Sequence, residues 1–368
     1  MLRHCPLMLL IVFSLVFLDR GEVRAEPPNE VIQDFPVGQP AKTSWKVHFA
    51  HGPGRGLYIT GAWFKRAANE PWMQVIYEAG LVELFVPYHS GSPRYYDLTS
   101  FNFPLVLASQ ADAGPNGTVL DSVVVKEVRD RGVMWKDDTA GRRGQELVLW
   151  ATLDAANYNY VMQYGFQDDG TITIRLGATA RNLPSREMEA HMHNGLWRLD
   201  IDLDGFPHNS VMLMKHVEPP GSQSATDSAV PFNNGKEGFA DWIPTEFTEV
   251  SVMNTQKKNG QGKNVSYDLM PKKDGLARHF EDFTHHDFWV TRYHSNERFY
   301  TQLPTYIANQ ESSQDTDVVI WCATSMHHLP RSEDGKFVNG VWDGVALLMW
   351  SGFDLRPRDL FDTTPLHP

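Results

Sequence analysis

The sequence predicts an all-β protein built as one large antiparallel β-sandwich. Three observations carry that expectation. Short runs with period-two alternation and many aromatic or β-branched residues recur from residue 45 onwards. Gly and Pro punctuate these runs at short intervals, and no stretch shows a long amphipathic helical period. Eleven tryptophans and 28 glycines among 368 residues, with 42% hydrophobic and 12% aromatic content, fit a β-protein with a substantial core. No fixed-period repeat and no composition break divides the chain, so residues 45–368 read as one domain.

In chain order, residues 1–25 have the features of a secretory signal. Arg3 opens them, an apolar run covers 6–18, and Val23-Arg24-Ala25 supplies a small-x-small cleavage site. The run is short for a bilayer span. The expectation is a cleaved leader, a secreted or periplasmic protein and no membrane partner afterwards; a retained signal anchor is the alternative. Cleavage removes three arginines and two acids, so the net charge of −12 becomes −13. That balance does not suit a nucleic-acid partner; it suits a cationic substrate, and solubility alone explains it equally well. Cys5 leaves with the leader and Cys322 remains alone, so no intrachain disulfide is expected. Residues 26–44, proline-rich and polar, read as a loose N-terminal arm.

Strand patterns follow in KVHFA, GLYITGAWF and QVIYEAGLVELFVPY. Residues 99–118 become loop-like in their second half, and VLDSVVVKEV and QELVLWATL resume the strands. Residues 153–172 read as a hairpin: YVMQYGF alternates, Asp168-Asp169-Gly170 marks the turn, and TITIRLGA alternates again. Residues 218–238 look like a long excursion, and 255–264 like a hairpin tip or a surface loop. DFWVTRY, DTDVVIWCATSMHHLP and DGVALLMWSGFDLRP close the sandwich.

Three constellations carry chemistry. In EAHMHNGLWRLDIDLDG, His191 and His193 fall on one face of a strand and Met192 on the other. Two imidazoles on one face can chelate copper or zinc, although two histidines at a strand end are often only that. Asp200 and Asp202 repeat the i, i+2 spacing, which suits a hard cation such as calcium or a merely solvated strand face. Further on, DTDVVIWCATSMHHLPRSED supplies Asp317 and the adjacent His327 and His328, of which a strand can direct only one to a given site. Three histidines with open positions describe a catalytic rather than a closed metal site.

In their order along the chain these segments resemble the catalytic domain of the copper-containing, quinone-dependent primary-amine oxidases. Asn157-Tyr158-Asn159-Tyr160 resembles the family's Asn-Tyr-(Asp or Glu)-Tyr motif, HMHNGLWRLDIDLDG its His-x-His copper pair, and HHLPRSED the segment of its third copper ligand. ELFVPYHSGSPRYYD, FWVTRYHSNERFY and RPRDLFDTTP resemble further family segments. The resemblance spans roughly residue 45 to the C-terminus and implies a catalytic domain without the small domains that usually precede it.

What the resemblance implies is specific. His191, His193 and His328 hold copper, and Tyr158, beside Asn157, is the precursor of topaquinone. Tyr88 hydrogen-bonds the quinone, Tyr95 gates the pocket and Asp97 is the base. Asp200, Asp202 and Asp317, with the carbonyls of Ile201 and Val318, form a second, calcium-like site. The implied reactants are a small primary amine and molecular oxygen, the products an aldehyde, ammonia and hydrogen peroxide, and a homodimer is among the implied assemblies. The chain departs from the family at Asn159 and Asp154, both expected beside the Tyr158 ring, and at Thr99 and Ser100, which stand where the family has Gly-Glu. The alternative is a secreted copper-binding β-sandwich in which Tyr158 stays a tyrosine.

Overall fold

The structure, a computed structural model, describes residues 29–180, 185–276 and 278–365. The expected leader, residues 1–25, lies outside the described residues. Two ten-stranded antiparallel sheets dominate. The first runs Asn29–Phe35, Thr43–Gly52, Gly56–Lys65, Glu78–Pro87, His191–Asp200, Val318–His328, Phe288–Arg292, Gly238–Ala240, with Met73–Ile76 and Arg94–Tyr96 paired off that path. Along the second lie Thr226–Pro231, Asn209–Val217, Glu249–Lys258, Asn264–Lys272, Met349–Arg358, Ile172–Ala180, Tyr158–Gln167, Gly141–Ala155, Val124–Lys136 and Gly117–Leu120. Their facing sides share one apolar core that includes Trp45, Phe64, Tyr164, Phe166, Trp197 and Phe353. Alternation explains the layering, since every second residue of a strand must leave water and only the facing sheet can cover it.

The hairpin read from residues 153–172 is present, with Phe166 opposite Ile172 and Gly170 at φ +88° in the turn. The 255–264 tip is present as well, joining Glu249–Lys258 to Asn264–Lys272. The N-terminal arm is a correction. Residues 29–35 are not loose; they form an edge strand in register with Thr43–Gly52. Val31 and Phe35, four apart and therefore on one face, are buried in the core. The prolines that suggested an arm flank this strand rather than interrupt it. The 218–238 excursion likewise holds an exposed strand, Thr226–Pro231, on the second sheet's edge.

Two features of register position the site. Central in the first sheet, His191–Asp200 pairs with Val318–His328 so that His191 lies opposite His328. Opposite them in the second sheet, a two-residue turn, Ala156-Asn157, brings Tyr158 to the head of its strand across from Ala155. Ala156 adopts φ +61°, a left-handed conformation that costs a non-glycine residue about 1–2 kcal/mol.

Candidate functional site

His191, His193 and His328 point inward from the first sheet and are 1%, 0% and 2% exposed. One ring nitrogen of each is tied down. His191 Nδ1 donates to the Glu189 carbonyl at 2.8 Å, and His193 Nδ1 donates to the Tyr160 hydroxyl at 3.0 Å. His328 Nε2 donates to Asp334 Oδ2 at 3.2 Å. These partners leave His191 Nε2, His193 Nε2 and His328 Nδ1 as lone-pair nitrogens facing one another, with ligand atoms within 4.8 Å. His193 Nε2 is buried without a partner. His191 Nε2 and His328 Nδ1 approach to 3.2 Å with no proton between them to share.

Burial holds all three imidazoles neutral. It brings His191 down to about 4 and His193 well below the ordinary histidine range; His328 is lowered too, although its bond to Asp334 opposes the shift. Three neutral donors, each oriented through its far nitrogen and one of them orphaned, have the chemistry of a transition-metal ligand set. Copper suits imidazole ligands. His327, the alternative to His328, faces the outer side, where its Nε2 lies 3.2 Å from His89 Nε2.

Tyr158 enters this cluster from the second sheet. Its hydroxyl donates to His191 Nε2 at 2.7 Å and lies 3.3 Å from the Tyr88 hydroxyl. Tyr88 stacks on the His191 ring at 4.4 Å and 16°. Burial lifts the Tyr88 phenol to about 12 and raises Tyr158 further, so neither ionises unaided near neutrality. Asp97, 7% exposed, accepts from the Tyr160 hydroxyl at 3.0 Å. Burial raises its carboxyl to about 7 against the opposing pull of that hydrogen bond. A cavity of about 310 Å³ is lined by Tyr88, Tyr95, Asp97, Phe101, Asn157 and Tyr158. A larger one, about 520 Å³, opens on the outer face of the first sheet beside Glu281 and Tyr300 and is lined by none of these groups.

Tyr160 is the residue that sequence reading missed. It is completely buried and joins Asp97 to His193 through one hydroxyl. Its signal was available, since i, i+2 spacing puts it on the Tyr158 face. Asn159 and Asp154 require a correction. They pair across adjacent strands on the opposite side of the sheet, with Asn159 Nδ2 3.5 Å from Asp154 Oδ1. Neither stands beside the Tyr158 ring, because the period of two sends both to the other face.

At the far end of the same strand pair, Asp200, Asp202 and Asp317 bring carboxylate oxygens within 4.8 Å of one another. Ile201 lies between the first two and Val318 follows the third. Asp202 Oδ1 and Asp317 Oδ1 are buried without partners, while Arg198 lies 3.4 Å from Asp200 Oδ2. Burial raises Asp200 to about 8, against Arg198 and with repulsion from its neighbouring carboxylates, and raises Asp202 to about 7 with repulsion from Asp317; Asp317 is raised by burial alone, against Arg198 and Arg292. Unpartnered buried carboxylate oxygens are the donor set of a hard cation.

Two face-packed sheets bring together three imidazoles, a tyrosine hydrogen-bonded to one of them and a buried carboxylate one hydroxyl away, a candidate metal centre within a β-sandwich. The sequence profile of the copper amine oxidase enzyme domain matches residues 184–367, and the chain belongs to that family. All three histidines fall within that match; Asp97 and Tyr158 precede it. Primary amine oxidase 2 of Arabidopsis thaliana is 22% identical over 88% of this chain and 57% of its own length. The primary amine oxidase of Klebsiella aerogenes is 25% identical over 77% of this chain and 48% of its own length. The chain thus spans about half the length of these relatives. A copper-containing benzylamine oxidase from Hansenula polymorpha, 18% identical, superposes over 99% of this chain and 64% of its own with a TM-score of 0.70, which establishes the shared fold.

Proposed function

We propose that this protein oxidises a primary amine with molecular oxygen and water to an aldehyde, ammonia and hydrogen peroxide, using copper and a topaquinone derived from Tyr158. The observation that carries this reading is the Tyr158 hydroxyl, 2.7 Å from His191 Nε2 within a cluster of three buried imidazoles. His191, His193 and His328 would hold copper, which would supply the oxygen chemistry for turning the Tyr158 ring into a quinone, the electrophilic carbonyl that ordinary side chains lack.

The chain's other groups prepare the reactants. Asp97 takes the α-proton of the bound amine; a carboxyl titrating near 7 is a competent base at neutral pH and a stronger one than an exposed aspartate. Tyr160 keeps the Asp97 carboxylate aimed into the cavity by donating to Oδ2. Tyr88 orients the Tyr158 oxygen, Asn157 fixes the turn beside it, and Tyr95, half-buried on the cavity wall, gates access. Calcium is proposed for Asp200, Asp202 and Asp317 with the Ile201 and Val318 carbonyls, as a structural ion. Export through residues 1–25 and a homodimer complete the proposal. Among the described residues no helix is long and apolar enough to cross a membrane.

The deciding experiment is aerobic reconstitution with copper, followed by an absorbance spectrum and phenylhydrazine labelling. A quinone chromophore that labels with the hydrazine is the expected result. Bound copper without a chromophore would sink the oxidase and leave the copper-binding sandwich.

A further inference from the structure

Glu83 is a carboxylate whose placement the chemistry above does not use. It is 3% exposed, and all of its hydrogen-bond donors are neutral. Oε1 accepts from the backbone N–H groups of Leu84 at 2.8 Å, Leu98 at 3.1 Å and Thr99 at 3.3 Å. Oε2 accepts from the Thr99 hydroxyl. Three of these four donors belong to the two residues that follow Asp97. The Asp97 N–H is itself bonded to the Leu84 carbonyl at 2.8 Å. The backbone around Asp97 is therefore held by one strand on both sides, by Leu84 before and by Glu83 after.

Alternation separates the two carboxylates. Leu84 packs in the core between the sheets, whereas Glu83 and Phe85 belong to the outer face. Asp97 lines the inner cavity and Glu83 the outer one, so the 94–101 segment is the wall between them. Glu83 cannot touch an amine in the inner cavity. It reaches the site only through the backbone of residues 97–99 and through its charge.

We infer that Glu83 is a positioning residue for Asp97: its carboxyl clamps residues 98 and 99 to the strand and, when ionised, sets a negative charge behind the base. The inference rests on the proposed role of Asp97. Four donors favour the ionised form of Glu83, although burial outweighs them and raises its carboxyl above the ordinary range. A like charge behind a buried carboxyl disfavours the second ionisation, and Glu83 acts on Asp97 in that direction, after burial and against Tyr160. The other titratable groups around the pair are Tyr88, Tyr95, Tyr158 and Tyr160 on the inner side. On the outer side they are Tyr96, Glu281, Asp282 and Arg94, the last paired with Glu281. Thr99 stands where the family has glycine, so the hydroxyl arm of the clamp belongs to this chain.

The test titrates Asp97 by carboxyl ¹³C NMR in the full, copper-free chain, with copper binding and amine turnover measured alongside. In Glu83→Gln the amide oxygen still accepts the three N–H groups while the charge is gone. The Asp97 midpoint should fall towards the ordinary aspartate range, the acid limb of turnover should move with it, and copper binding should hold. Glu83→Asp keeps the charge and shortens the clamp, so the midpoint should stay raised while kcat falls. Thr99→Val should speed hydrogen exchange at the Leu98 and Thr99 amides even if both Glu83 variants misfold. An unmoved Asp97 midpoint in folded Glu83→Gln, or unchanged exchange in Thr99→Val, overturns the inference. Retained turnover in Asp97→Asn sinks the base assignment instead, so the two readings fail separately.

Discussion

One pair of strands, His191–Asp200 and Val318–His328, carries the histidine cluster at one end and the aspartate cluster at the other. Their nearest members on one strand, His193 and Asp200, are seven positions apart, roughly 24 Å. Both are buried and both leave donor atoms unpartnered, yet burial acts on them in opposite senses. Burial keeps the imidazoles neutral, so they can converge without repulsion. The aspartates can converge only by holding protons or a cation, and burial raises every one of them. The same backbone geometry thus yields a pre-organised site from neutral donors and a charge-frustrated one from anionic donors.

The largest effect should come from breaking the first cluster. His193→Ala removes one of three ligands and is expected to abolish stoichiometric copper binding, read by metal analysis after dialysis. Asp334→Asn leaves all three ligands but weakens the orientation of His328, and should cost about ten- to a hundredfold in copper affinity. Tyr158→Phe separates metal from cofactor: copper stays bound, while the quinone absorbance and turnover vanish. Retained turnover in that variant would mean that another tyrosine is the precursor.

Asp97→Asn should form the quinone normally and lower amine oxidation by about 10²- to 10⁴-fold, the usual contribution of a general base. With the wild-type carboxyl near 7, the active form is the deprotonated one. Free-enzyme kcat/KM should therefore fall as pH drops through 7, and a flat profile down to pH 5 would count against the assignment.

A subtler outcome sharpens the contrast at the aspartate end. The folded pKa values there are raised above the unfolded aspartate value of about 3.9, so the native chain holds protons that the unfolded chain releases. In chelator, the stability these groups contribute is present below about pH 4 and is lost as pH rises towards 8. Calcium should flatten that slope in thermal melts, and Asp202→Asn should abolish the calcium response while raising chelated stability at pH 8. The smallest effect tests the same repulsion at the surface. Asn159→Asp restores the family residue opposite Asp154 and should cost roughly 0.2–1 kcal/mol through a like-charge cross-strand pair, with turnover unchanged.

Much of this was legible in the chain itself because strand periodicity is local. The i, i+2 spacing alone puts His191 with His193 and Asp200 with Asp202, and Asp168-Asp169-Gly170 announces its hairpin. Periodicity also contained two facts that motif comparison obscured: Tyr160 shares the Tyr158 face, and Asn159 leaves it. Composition misled at residues 29–35, where flanking prolines hid a strand that only its pairing with Thr43–Gly52 reveals.

Which residues meet across the sandwich was decided by tertiary structure. Register selects His328 over His327, and sheet-on-sheet packing carries the Tyr158 hydroxyl to His191, 33 positions away. Asp97 reaches Tyr160 across 63 positions, and Glu83 closes on Thr99 only because the short strand Arg94–Tyr96 folds back on Glu78–Pro87. A sequence specifies which face each side chain takes, because that depends on neighbours two residues away. Which faces pack together, and in what register, depends on burying the whole core at once.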